Sequence, residues 1–97
     1  MNCDSLNILG RIVPVKIGET DDGNCGEYHK KAITIIDGLS DEDFMVTLLH
    51  EGGHAFFDRI GLTGHIHSTT EEVIVEGFAT WITENFDIRF KNEGGRG

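Results

Sequence analysis

The sequence has one proline, two cysteines and no long apolar run, and each shortage excludes a class of protein. Cys3 and Cys25 cannot build a disulfide scaffold, and they do not form a C-x-x-C pair. No segment approaches the roughly 20 consecutive apolar residues of a membrane-spanning helix. The start, Met1 to Asp4, lacks the basic residues and apolar stretch of a secretory signal. We therefore expect a cytoplasmic protein with free thiols and no membrane partner.

Basic residues are also scarce: 8 lysines and arginines stand against 17 aspartates and glutamates, a net charge of −9. Because nucleic acids are polyanions, we expect no nucleic-acid partner, and the charge favours a cationic peptide or protein instead. The length predicts one domain over residues 1–91, with residues 92–97 as a flexible tail. A bound metal, or a homodimer formed through Phe86 and Phe90, would stabilise so small a domain.

The motif with the most specific chemistry is His50-Glu51-Gly52-Gly53-His54, which has the form H-E-x-x-H. Residues four apart lie on one face of a helix, so His50 and His54 can bind one metal ion together. Glu51 follows the first histidine and can act as general base toward a metal-activated water. The motif therefore predicts a site for Zn²⁺ with Glu51 as its catalytic residue.

The residues around the motif predict a helix over Ser40–Ile60. Ser40 is suited to the N-cap, and Asp43 three residues later completes a variant of the capping box. Two glycines inside the helix, Gly52 and Gly53, cost about 1 kcal/mol each relative to alanine. We infer that another backbone or a substrate passes close to them.

A catalytic zinc usually has three protein ligands and one open position, so the two histidines need a further ligand. The residues from Thr69 to about Phe86 or Arg89 predict a second helix, capped by Thr69, that presents Glu72 and Glu76 on one face. Carboxylates beside a core are costly to bury unless they are paired or bind a metal. We expect Glu72 to be the third ligand and Glu76 to orient a histidine, with the exchange of these two roles as the alternative. Glu71 is predicted to be solvated.

Three further side chains are candidates for contact with substrate or with an oxyanion: Tyr28, His65 and His67. The two histidines lie in the connection between the predicted helices, and exposed loop histidines are the alternative interpretation. They do not extend the motif to H-E-x-x-H-x-x-G-x-x-H, because Ile60 stands six residues after His54, where that pattern has its third histidine. A metzincin interpretation is excluded.

Two segments rich in isoleucine and valine, Ile8–Ile17 and Tyr28–Ile36, predict strands separated by a turn-rich loop. Pro14 inside the first segment indicates an edge position or a bulge. We expect an α+β fold with a small, antiparallel sheet of two or three strands and one edge strand beside the metal-binding helix. A peptide can pair with such an edge through main-chain hydrogen bonds.

The stretch Thr47–Ala55 (T-L-L-H-E-G-G-H-A) and the later run Glu72–Ala79 resemble the gluzincin-type metallopeptidases. Within these zincins, the pattern is most similar to a minimal version of the ImmA/IrrE-like group. In that group a strand precedes the metal helix, and a glutamate on the next helix is the third ligand. The resemblance covers roughly residues 26–84. It implies that Glu72 binds the metal and that Glu76 replaces the asparagine often found there.

The predicted function is thus a zinc endopeptidase in which His50, His54 and Glu72 bind the metal. Two other functions stay open. Peptide deformylases combine H-E-x-x-H with a cysteine ligand, which Cys25 could supply. A non-catalytic binding or regulatory module stabilised by a metal is the third hypothesis.

Overall fold

The computed structural model describes residues 3–21 and 23–91, and the tail predicted at 92–97 lies outside them. Along the chain the elements are β1 (Ser5–Ile8), β2 (Arg11–Ile17), β3 (Gly26–His29), β4 (Ala32–Ile35), α1 (Asp41–Arg59) and α2 (Ser68–Asn85). The predicted α+β class is confirmed. Neither helix in the described ranges combines the length and the apolarity needed to cross a membrane.

The four strands form a mixed sheet with the order β1-β2-β4-β3. The pairs β1–β2 and β3–β4 are antiparallel, whereas β2 and β4 are parallel. The prediction of two or three antiparallel strands was therefore wrong. Each predicted strand contains a tight turn, Leu9-Gly10 or Lys30-Lys31, in which every residue has a positive φ between 52° and 88°. Lysine and leucine rarely adopt this conformation. Neither turn has the Asn-Gly dipeptide that usually indicates a hairpin.

The two halves of β2 have different neighbours. Arg11–Pro14 pair with β1, and Val15–Ile17 pair with β4. Pro14 thus lies in the half of β2 that does not pair with β4. A proline has no backbone N–H to donate, so this placement agrees with the predicted edge position.

The core lies between the sheet and α1. Its fully buried side chains include Ile33 and Ile35 from β4 and Leu48 from α1. Phe90 is partly buried and packs against the same core. Phe86, in contrast, is exposed. A homodimer formed through Phe86 and Phe90 stays a prediction.

The two helices begin at different kinds of cap. Ser40 caps α1 as predicted, because its Oγ accepts a hydrogen bond of 3.1 Å from the backbone N–H of Asp43. For α2 the predicted cap at Thr69 was wrong. His67 is the N-cap, and its Nδ1 accepts from the N–H of Thr69 at 3.1 Å. An imidazole nitrogen thus accepts the N-cap hydrogen bond that a serine or aspartate side chain usually accepts.

Helix α1 packs against both the sheet and α2, and its two glycines lie at close contacts. A Cβ on Gly53 would lie 2.8 Å from Cγ1 and 3.0 Å from Cβ of Val75 in α2. A Cβ on Gly52 would lie 3.2 Å from Cδ1 of Leu6. The expected close approach is confirmed at Gly53, where the absence of a side chain lets α2 reach the histidine-bearing part of α1.

Candidate metal centre

The three predicted ligands lie together at the crossing of α1 and α2. His50 and His54 are one turn apart, with ring centroids separated by 5.1 Å. Glu72 of α2 contacts both rings: its Oε2 is 2.9 Å from Nε2 of His50, and its Oε1 is 3.0 Å from Nε2 of His54. These residues offer ligand atoms that all lie within 4.8 Å of one another. The group therefore has the geometry to hold one metal ion.

The other nitrogen of each ring also faces a carboxylate. Nδ1 of His50 lies 2.7 Å from Oε1 of Glu76, the residue predicted to orient a histidine. Nδ1 of His54 lies 2.5 Å from Oε2 of Glu71. Carboxylates in these positions hold the rings so that each Nε2 points to the ligand position.

The prediction that Glu71 is solvated was wrong. This residue is only 8% exposed, and Oγ1 of Thr63 donates a 3.2 Å hydrogen bond to its Oε1. Glu71 lies four and eight residues before Val75 and Ala79, the other buried residues of α2. The spacing was therefore a usable signal, because residues four apart share a helix face. His54 and Thr63 together offset the cost of burying the carboxylate.

Four imidazole nitrogens thus face four carboxylate oxygens. A proton on every nitrogen satisfies this arrangement, and so does a divalent cation in place of the two Nε2 protons. Burial lowers the pKa of His54, but the hydrogen bonds to Glu71 and Glu72 and the charge of Glu51 outweigh it, so the pKa is raised. The carboxylates therefore favour positive charge at the crossing.

Glu51 lies beside the histidines and is buried. Burial raises its pKa, against the opposing effects of His50 and His54. Strand β3 passes close to this side chain. A Cβ on Gly26 would lie 2.6 Å from Cγ2 of Thr47 and 3.1 Å from Cγ of Glu51. Glycine at this position lets the strand pack directly against the helix turn that carries the candidate base.

A cleft of about 880 Å³ opens over these residues. It is bounded by β3, α1, α2 and the loop between the helices, and β3 is the last strand of the sheet. An edge strand therefore lies beside α1, the helix that carries His50 and His54. The lining residues include six carboxylates and no lysine or arginine: Glu27, Glu51, Asp58, Glu71, Glu72 and Glu76.

Tyr28 also lines the cleft, but its hydroxyl is already paired. It donates a 2.6 Å hydrogen bond to Oδ2 of Asp58, which also accepts from Nζ of Lys31 at 2.7 Å. Burial, together with the hydrogen bond to Asp58 and its charge, raises the pKa of Tyr28 to about 12. The hydrogen bonds from Lys31 and Tyr28 lower the pKa of Asp58.

The remaining predicted residues are not part of the metal group. His65 and His67 are exposed and do not line the cleft, and His67 caps α2. Cys25 is a free, exposed thiol that does line the cleft but lies outside the ligand group. Glu71 and Asp58 are functional candidates that the sequence analysis missed.

Comparison with known protein families, curated proteins and solved structures finds no match to this chain. The resemblance to the ImmA/IrrE-like group therefore stays a prediction that rests on the motif residues. Any function must be argued from the geometry of the site itself.

Proposed function

We propose that this protein is a zinc-dependent peptidase. One observation carries the proposal: His50, His54 and Glu72 converge beside a buried Glu51, in a cleft bordered by an edge strand. A site that only stabilised the fold would not need a glutamate next to its ligands or an open cleft above them.

The donor set suits zinc. Two imidazole nitrogens and one carboxylate form a common catalytic set for this ion. Glu76 and Glu71 accept from the Nδ1 atoms, which leaves each Nε2 available as a ligand atom. Zinc held there would act as a Lewis acid and lower the pKa of a water toward neutrality.

Glu51 is the general base in this proposal. It accepts the proton of the attacking water and passes a proton to the leaving amine. Its burial raises its pKa, so the protonated form is easier to reach during the reaction than for a solvated glutamate.

The peptide would lie extended along β3, where main-chain hydrogen bonds hold an added strand. The six carboxylates of the lining favour a substrate that carries positive charge. Of the predicted oxyanion donors, Tyr28 alone lines the cleft. It would exchange its hydrogen bond to Asp58 for one to the substrate, which makes it the best candidate for that role.

Metal content tests the centre directly. The wild type should hold about one equivalent of zinc by plasma mass spectrometry, Glu72→Gln should lose it, and Glu76→Gln should bind it more weakly. Cys25→Ser is the matched control and should keep its zinc; loss there would favour the deformylase hypothesis. Loss in Glu76→Gln alone would exchange the roles of the two glutamates. No zinc in the wild type after zinc addition and dialysis would overturn the proposal.

Turnover tests the chemistry separately. The zinc-loaded protein should cleave members of a peptide library, and Glu51→Gln should keep the metal but lose cleavage. If Glu51→Gln remains as active as the wild type, the assigned base is wrong. Zinc binding without cleavage in the wild type would leave the non-catalytic, metal-stabilised module as the function.

A further inference from the structure

The outer side of α2 carries an apolar surface that the metal centre does not use. We call it the aromatic face, and it consists of Ile74, Phe78, Trp81 and Phe86. The three rings are 60%, 51% and 55% exposed in that order, and neighbouring rings lie 5.8 Å apart. Their exposed parts alone amount to on the order of 300 Å². Patches of this size are often functional.

The aromatic face and the metal centre lie on different flanks of the helix. Ile74, Phe78 and Trp81 follow the i, i+4, i+7 spacing of one helical stripe. Glu72 and Glu76, which contact the histidines, share another stripe. A partner can therefore cover the aromatic face without blocking the cleft.

Carboxylates line a small cleft at the Phe86 end of this face. The cleft has a volume of about 280 Å³ and is lined by Asp41, Glu42, Met45, Thr83, Phe86, Asp87 and Ile88. Three of these residues are carboxylates, and none is a lysine or arginine. The surface thus combines apolar rings with an acidic rim.

The charge decides between possible occupants. A symmetric dimer would bring two acidic rims together in a chain whose net charge is −9, and like charges oppose that contact. A partner with basic residues fits both features of the surface.

We propose that the aromatic face docks an amphipathic helix of another protein, with leucine-like residues on one side and lysine or arginine on the other. The apolar side would cover Phe78, Trp81 and Phe86, and the basic residues would pair with Glu42 and Asp87 of the acidic rim. This is helix-on-helix recognition through anchors at i, i+3 and i+4 spacing. The proposal is independent of any catalytic activity.

Trp81 is the only tryptophan in the chain, so its fluorescence reports on this face. The probes are two synthetic amphipathic helices of equal length and identical leucine pattern, one with lysine and one with glutamate at the polar positions. The lysine peptide should give a saturable blue shift of the emission, and the glutamate peptide should give none. Phe78→Ser should weaken binding of the lysine peptide by about tenfold or more.

Ile12→Ser is the matched control, because it removes a side chain that is 61% exposed on β2. It should bind the lysine peptide like the wild type, and circular dichroism should show both variants folded. Equal binding of the two peptides would overturn the charge argument. Unchanged binding in Phe78→Ser would overturn the site. Self-association of the protein in sedimentation, abolished by Phe78→Ser, would assign the face to a second copy instead.

Discussion

The two sides of α2 differ in which side chains they bury and which they expose. The side toward α1 buries Glu71 and holds Glu72 and Glu76 against the histidines, whereas the outer side exposes Phe78 and Trp81. A helix selected only for stability would bury its rings and solvate its carboxylates. This difference is the basis of the two proposals, a metal site on the inner side and a partner surface on the outer side.

The largest expected effect concerns the inner side. Glu71→Gln removes the charge that holds His54, and it should weaken zinc binding by about 10- to 100-fold, because such supporting carboxylates fix the ligand ring. Glu84→Gln, an exposed change on the same helix, should leave zinc affinity unchanged. Competition with a chromophoric chelator measures both values. Equal affinities in the two variants would mean that Glu71 does not support the centre.

Two glycine-to-alanine substitutions compare a position at the α1–α2 contact with an open position on α2. Gly53→Ala places a Cβ 2.8 Å from Cγ1 of Val75, so the Val75 side chain or helix α2 must shift. We expect it to lower the free energy of unfolding by about 1–3 kcal/mol, as overpacking does. Gly77→Ala meets nothing within 4 Å and should raise stability by up to about 1 kcal/mol, since alanine favours a helix.

Urea denaturation measures both variants, and zinc titration of Gly53→Ala shows whether the shift also disturbs the centre. The comparison would fail if Gly53→Ala proved as stable as Gly77→Ala. That result would mean that the close crossing is not needed to hold the two helices together.

The smallest expected effect concerns the Tyr28 hydroxyl, which is hydrogen-bonded to Asp58 and lies outside α2. Tyr28 is the only tyrosine, so near-ultraviolet absorbance follows its ionisation directly. The midpoint should lie near 12 in the folded protein, against the ordinary pKa of 10.0, and Asp58→Asn should move it toward the lower value. Because the folded pKa is raised, the stabilisation is complete below pH 10.0 and is lost as pH rises through about 12.

The urea-unfolded chain is the control for this titration and should ionise at the ordinary value. Circular dichroism at each pH verifies that the native titration precedes unfolding. A wild-type midpoint equal to that of Asp58→Asn would show that the hydrogen bond to Asp58 does not govern the hydroxyl.

Features that depend on local geometry were predictable. The helix over Asp41–Arg59, its cap at Ser40 and the shared face of His50 and His54 follow from residue spacing alone. The strands were harder. The turn at Lys30-Lys31 places both lysines in the left-handed conformation without a sequence signal, and the turn at Leu9-Gly10 has only Gly10 to indicate it. The predicted segments Ile8–Ile17 and Tyr28–Ile36 therefore ran through the turns and missed most of β1 and half of β3.

The sequence by itself determined that two histidines and a glutamate stand together on one helix, because the helical repeat places them there in any fold. It did not determine which carboxylates reach them. The tertiary structure decided that, since the distance between α1 and α2 depends on the contact of Gly53 with Val75. The same crossing buries Glu71 and turns Phe78 outward. Which side of a helix is buried depends on the surface it packs against, and a single sequence does not contain that information locally.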